Sequence, residues 1–135
     1  MKIELTDMEF RRLLDMAYIG NWVLNSTRGA DRFIEYDRVE SLLFSYCPQC
    51  DMSALAELNS GVAKPSADFE NGGIHEAIAD YEDSIFFEIL AEELARRDMD
   101  FEPISQDNLV ELTSRIDEYI EEFEQNGIDN ISLDK

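Results

Sequence analysis

The sequence predicts a mainly α fold: a single-domain helical bundle of four to five helices. It allows a small two-stranded sheet formed from the N- and C-terminal segments. Three observations support this. Apolar residues recur at helical spacing in separate stretches, most cleanly at Leu109, Leu112, Ile116, Tyr119, Ile120 and Phe123. Cap signals bracket the periodic runs, with Thr6 and Glu9 before the first and Gly127 after the last. Polar–apolar alternation is confined to short segments at the two ends, Lys2–Leu5 and Ile128–Leu133. A chain of 135 residues with 44% hydrophobic residues buries a core as one domain, 1–135, without covalent staples.

The first helix is expected to start at Asp7. Thr6 and Glu9 form a capping box, and Leu5 and Phe10 have the spacing of a hydrophobic staple. Phe10, Leu13, Leu14, Ala17 and Leu24 lie along one face, and Tyr18, Ile19, Trp22 and Val23 widen it. Gly20 inside this helix costs about 1 kcal/mol relative to Ala, which implies close approach by another backbone. Gly29 closes the segment. A second helix is expected from Asp31 to Tyr46, stopped by Pro48. Ser53–Asn59 reads as a short third helix at best, and Ser60–Gly73 as a surface loop.

From Ile74 the spacing is helical again, through Ile78, Tyr81, Ile85 and Ile89, with Phe86, Leu90 and Leu94 beside them. This helix is expected to reach Arg97, with a break allowed near Asp80–Asp83. Glu92–Arg96 and Glu93–Arg97 are i,i+4 pairs, each worth roughly 0.3–0.5 kcal/mol. Ser105 is the expected cap of a last helix, Gln106–Asn126.

Charge is the unusual property. The formal net charge is −20. Residues 1–64 carry 10 acids and 7 bases, whereas residues 65–135 carry 21 acids and 4 bases. Such a body repels nucleic acids and anionic lipid and attracts cations and basic protein surfaces. Direct nucleic-acid binding and membrane binding are therefore not expected, and the expected partner is a basic protein. No apolar run approaches the ~20 residues that span a bilayer, and Met1–Arg12 lacks the pattern of a secretory signal. Two cysteines do not make a disulfide framework, which agrees with a cytoplasmic location.

Both cysteines lie in one C-x-x-C, Cys47-Pro48-Gln49-Cys50. A closed zinc site wants four ligands, and the chain offers one cysteine pair and one histidine. The motif resembles the Cys-Pro-x-Cys of glutaredoxins, but that motif works at a strand-to-helix turn, and here a helical pattern precedes it. Two buried thiols after a helix are the better reading. His75 is followed by Glu76, Asp80 and Asp83, the last three at i, i+4, i+7, a spacing that could hold a divalent cation loosely or be a solvated face. There is no P-loop, no G-x-S-x-G and no H-E-x-x-H. No catalytic residue, metal ligand or cofactor is assigned.

Two stretches carry a family resemblance. Lys2–Asn25, with Tyr18-Ile19-Gly20-Asn21-Trp22, and Tyr81–Asp98, ending Leu94-Ala95-Arg96-Arg97-Asp98, resemble small, acidic, cytoplasmic bacterial proteins of no known function. The resemblance covers about a third of the chain and brings no activity, cofactor or site residue.

The sequence thus reads as a non-enzymatic acidic interaction module that binds a basic macromolecular partner. The candidate surface is the acidic face carried by Glu111, Asp117, Glu118, Glu121 and Glu122, extended by Glu88 and Glu92. Its like-charge rows Asp117/Glu121 and Glu118/Glu122 disfavour the bare helix slightly and could receive a basic helix or imitate spaced phosphates. Tyr18, Ile19 and Trp22 are a second candidate surface, for self-association, or ordinary core. The alternative class is a metal-dependent or redox protein using His75, Glu76, Asp80 and Asp83, or the Cys47/Cys50 pair.

Overall fold

A computed structural model describes residues 1–134 of the chain. It is mainly helical, with five helices, one of them a single turn, and one two-stranded antiparallel sheet among the described residues. Its contacts fall into two units, Met1–Ile78 and the remainder from Ala79.

The first unit opens with α1 (Asp7–Asn25). The capping box forms as expected: Glu9 N–H donates to Thr6 Oγ1 at 3.2 Å and Thr6 N–H donates to Glu9 Oε2 at 2.8 Å. Two of the helix's first orphan donors are thereby satisfied. α2 (Ile34–Phe44) is shorter than expected at both ends. Its first turn begins only after Phe33, whose backbone is held by Asn25, and its last carbonyls turn into a 3₁₀ helix, Cys47–Cys50. Pro48 sits near the start of that turn, where a missing N–H does no harm.

The segment 53–73 departs most from expectation. Ser53–Leu55 is a 3₁₀ turn, after which β1 (Ala56–Asn59) and β2 (Val62–Pro65) pair antiparallel, Ala56 opposite Pro65 and Asn59 opposite Val62. The two-residue loop is Ser60-Gly61, with φ of 52° and 80°. Two successive positive φ values match the twist of a tight hairpin, and Gly at the second position adopts one without strain. The sheet expected from the termini is therefore elsewhere: residues 1–6 and 131–134 carry no strand. A hairpin closed by two residues loses far less chain entropy than pairing the two ends of the chain. After β2 come α3 (Ala67–Phe69), capped by Ser66, and a π turn through Glu70–Ile74, where Gly73 takes φ 108°.

The core of this unit collects Phe10, Leu14 and Tyr18 of α1, Phe44, Cys47, Ala63, Phe69, Ile74 and Ile78. Phe69 lies edge-on to Phe44 at 5.0 Å and to Tyr18 at 5.2 Å between centroids, the favoured geometry for ring quadrupoles. The supposed surface loop thus supplies Ala63 and Phe69 to the core. Gly20 also differs from expectation. A Cβ built on it meets nothing within 4 Å, so no backbone approaches it.

The second unit is a helical hairpin. α4 (His75–Asp98) enters it at Ala79 and runs without the allowed break, and α5 (Leu109–Asn126) returns antiparallel. Ala91 and Ala95, one turn apart, are fully buried, and Leu112 and Phe123 are nearly so. Small residues on one helix let the large ones of the other fit between the axes. Phe87 and Phe123 meet at 5.4 Å. At the loop end the Tyr119 hydroxyl donates to the Asp98 carboxylate. Asp100 and Phe101, both left-handed, turn the chain, and Phe101 N–H donates to Arg96 O at 2.8 Å. α5 starts three residues later than expected. Asn108, rather than Ser105, precedes it, and its amide ties the connection to Ser105 N–H and Pro103 O. The expected pairs Glu92–Arg96 and Glu93–Arg97 do not form. Arg96 reaches Glu93 at 3.5 Å, and Arg97 turns to Asp98 at 2.8 Å, the carboxylate that also accepts from Tyr119.

Candidate functional site

The hairpin carries two acidic grooves. One runs between its helices, a cavity of about 450 Å³ with Phe87, Ile120 and Phe123 as floor and Asp83, Glu88 and Glu124 as rim. The other lies on the outer face of α5, about 550 Å³, where Asp117, Glu118 and Glu121 adjoin Leu109 and Val110. Helical spacing builds both. Leu112, Ile116, Tyr119 and Phe123 turn inward against α4, which leaves Val110, Ser114, Asp117 and Glu121 as the opposite stripe. Val110 is 80% exposed at the foot of that stripe.

Of the five acids singled out by sequence, Asp117, Glu118 and Glu121 share the outer groove. Glu111 stands apart, paired with Arg115 at 3.0 Å. Glu122 also stands apart, accepting from Asn126 at 3.1 Å and Asn130 at 2.6 Å. Glu88 borders the inter-helix groove and Glu92 borders neither. Sequence reasoning missed Phe87 and Glu124, and put Asp83 in a metal set. The available signal was that Asp83, Phe87 and Ala91 recur at i+4, the spacing of one helix face.

Electrostatics decide what these grooves attract. From Ala79 to the end the chain has 18 acids and 4 bases. Its three arginines are engaged internally: Arg96 with Glu93, Arg97 with Asp98, Arg115 with Glu111. The Tyr119 hydroxyl, and then Arg97, hold the Asp98 carboxyl below the usual range. The six carboxylates of the two grooves have no ion-pair partner among the described residues. A surface of one sign around an apolar floor focuses field on whatever enters.

Cys47 is fully buried in the first unit's core and Cys50 is partly buried; both are free thiols. Burial, and secondarily Cys50, pushes the Cys47 thiol pKa up, the opposite of thiolate activation. Glu76, Asp80 and Asp83 are exposed, and His75 Nε2 is 2.7 Å from the Tyr18 hydroxyl. No group of three His, Cys, Asp or Glu is arranged to hold a metal among the described residues. No helix among them is long and apolar enough to cross a membrane. Of the aromatic patch, Tyr18 is core while Ile19 and Trp22 stay about one-third exposed. Comparisons with protein-family models, curated proteins and solved structures found no match to this chain.

Proposed function

We propose that the hairpin is a non-enzymatic docking module for a basic amphipathic helix of a partner protein, which seats between α4 and α5. The observation that carries this reading is the groove of Phe87, Ile120 and Phe123 bordered by Asp83, Glu88 and Glu124, with no base in its lining. A groove between two helices takes a third helix as bundles do, with apolar anchors at i, i+3 and i+4 on the floor. Each fully buried Leu-sized anchor contributes about 1.5–3 kcal/mol. The carboxylate rim then selects lysine and arginine flanks and speeds encounter more than it adds affinity. The outer stripe of Asp117, Glu118 and Glu121, which the sequence suggested as the binding surface itself, here extends the attractive field. Free thiols at Cys47 and Cys50 support action in the reducing cytoplasm.

The test uses a synthetic amphipathic lysine–leucine helix as probe and its glutamate–leucine counterpart as control. The lysine peptide should bind saturably and lose affinity as salt rises. Replacing Asp83, Glu88 and Glu124 by their amides should weaken it several-fold more than the same change at Glu4, Asp7 and Glu35. Equal effects of the two triple variants would refute the groove as the docking place.

A further inference from the structure

A separate cleft lies wholly in the first unit and is independent of the hairpin reading. It has a volume of about 320 Å³ and is lined by Tyr18, Asn21, Trp22, Ser26, Arg32, Glu40 and Glu70. α1 contributes its aromatic wall. Tyr18 and Trp22, one turn apart, stack at 6.3 Å, and His75 closes on both edge-on, 4.8 Å from the Trp22 ring. The Tyr18 hydroxyl and His75 Nε2 fix that arrangement at 2.7 Å.

The opposite wall is polar and held by two buried asparagines. Asn25, 1% exposed, grips both the N–H and the C=O of Phe33, at 2.8 and 3.1 Å, and donates to Asn21 Oδ1 at 2.7 Å. Asn21 then donates to Asp37 Oδ1 and to Glu40 Oε2, each at 3.0 Å. The charges here do not cancel. Arg32 pairs with Asp37, through Nε at 3.0 Å and Nη2 at 2.8 Å, and its charge also reaches Glu40, so one guanidinium is set against three carboxylates, Asp37, Glu40 and Glu70. Glu40 is partly buried and receives only the neutral Asn21 amide, and neither it nor Glu70 has an ion-pair partner among the described residues. Burial first, and then the charges of Glu70 and Glu40, push the Tyr18 hydroxyl pKa up. Glu70 is exposed, whereas burial raises the pKa of the Glu40 carboxyl, and a partly buried carboxylate short of positive charge is unfavourable until a cation or a proton joins it.

We infer that this cleft binds a small organic cation, an ammonium or guanidinium on a short alkyl chain. The cationic head lies between Glu40 and Glu70, and the chain lies along Trp22. The two carboxylates attract the charged head, and the apolar ring of Trp22 covers the alkyl chain. The volume is at the lower end of ligand pockets, which suits a molecule of this size.

Trp22 is the only tryptophan, so its fluorescence reports on the cleft. Agmatine is the probe, with 1-pentanol as a neutral chain and sodium chloride at matched ionic strength as controls. Agmatine should change Trp22 emission saturably below about 10 mM, and neither control should. Glu40→Gln with Glu70→Gln should weaken agmatine about tenfold, since the new amide oxygen at position 40 still accepts from Asn21 while the charge is gone. Glu4→Gln with Glu35→Gln, equal in net charge change, should leave the affinity within about twofold. An acetyl-Gly-Arg-Gly-amide arm names the source: tighter binding than agmatine assigns the cation to a polypeptide side chain, weaker binding to a free amine. A linear, salt-like response of Trp22 to agmatine in the unaltered protein would overturn the proposal, as would equal weakening by the two double variants.

Discussion

Asn25→Ala is the most informative single change in the first unit. Asn25 sits one turn after Asn21 on the buried side of α1 and makes three hydrogen bonds, two to the Phe33 backbone and one to Asn21. Alanine leaves the Phe33 N–H, the Phe33 C=O and Asn21 Oδ1 without those partners. Neutral bonds contribute about 1 kcal/mol each net, and an unmet buried group loses about 1–3 kcal/mol. The Asn21 side chain is deeply buried, whereas Phe33 is partly reached by water. The sum is therefore about 3 kcal/mol, or roughly 10 °C in Tm for a chain of this length. Urea unfolding followed through Trp22 emission measures it. Asn21→Ala in the same background gives a double-mutant cycle, with an expected coupling of about 1 kcal/mol. A loss below about 1 kcal/mol for Asn25→Ala, or strict additivity with Asn21→Ala, would refute the hub role of this pair.

Three further outcomes are expected. Gly20→Ala should stabilise the protein by about 0.5–1 kcal/mol, because the position is helical and an added Cβ meets nothing; thermal melting checks it. Burial, then Glu70 and Glu40, pushes the Tyr18 pKa from 10.0 up to about 12. The folded state therefore holds this proton more tightly than the unfolded chain. The contribution is intact below pH 10.0 and is lost as pH rises towards about 12, so urea midpoints should fall across that window, and less so in Tyr18→Phe. Iodoacetamide should modify Cys50 well before Cys47, and Cys47 should react only on unfolding, since burial raises its thiol pKa; peptide mapping after timed labelling decides.

Local signals were legible in the sequence and long-range ones were not. Thr6 and Glu9 are three residues apart, so the α1 start was readable, and Gly127 likewise marked the end of α5. The hairpin at 56–65 was hidden because its strands have only four residues each and Ser60-Gly61 reads equally as linker. The Tyr18–His75 bond joins residues 57 positions apart, and only the fold brings them together. Asn21 and Asn25 did leave a trace. They continue the stripe of Phe10, Leu14 and Tyr18 at i+3 and i+4, and a polar pair on an apolar stripe marks a buried hydrogen-bonded hub. The acidic face of α5 was readable from periodicity, but which acids remain unpaired depended on rotamers. Glu111 went to Arg115, whereas Asp117 and Glu121 have no ion pair among the described residues.

Amide chemical-shift mapping of the whole chain with the lysine–leucine helix tests the central functional claim most directly. The expected result is a saturable set of shifts at Asp83, Phe87, Glu88, Ile120, Phe123 and Glu124, weakened by raising salt and absent with the glutamate–leucine peptide. Shifts scattered over the acids of both units, with Phe87 and Ile120 unmoved, would contradict it and leave only diffuse attraction to a strongly negative surface.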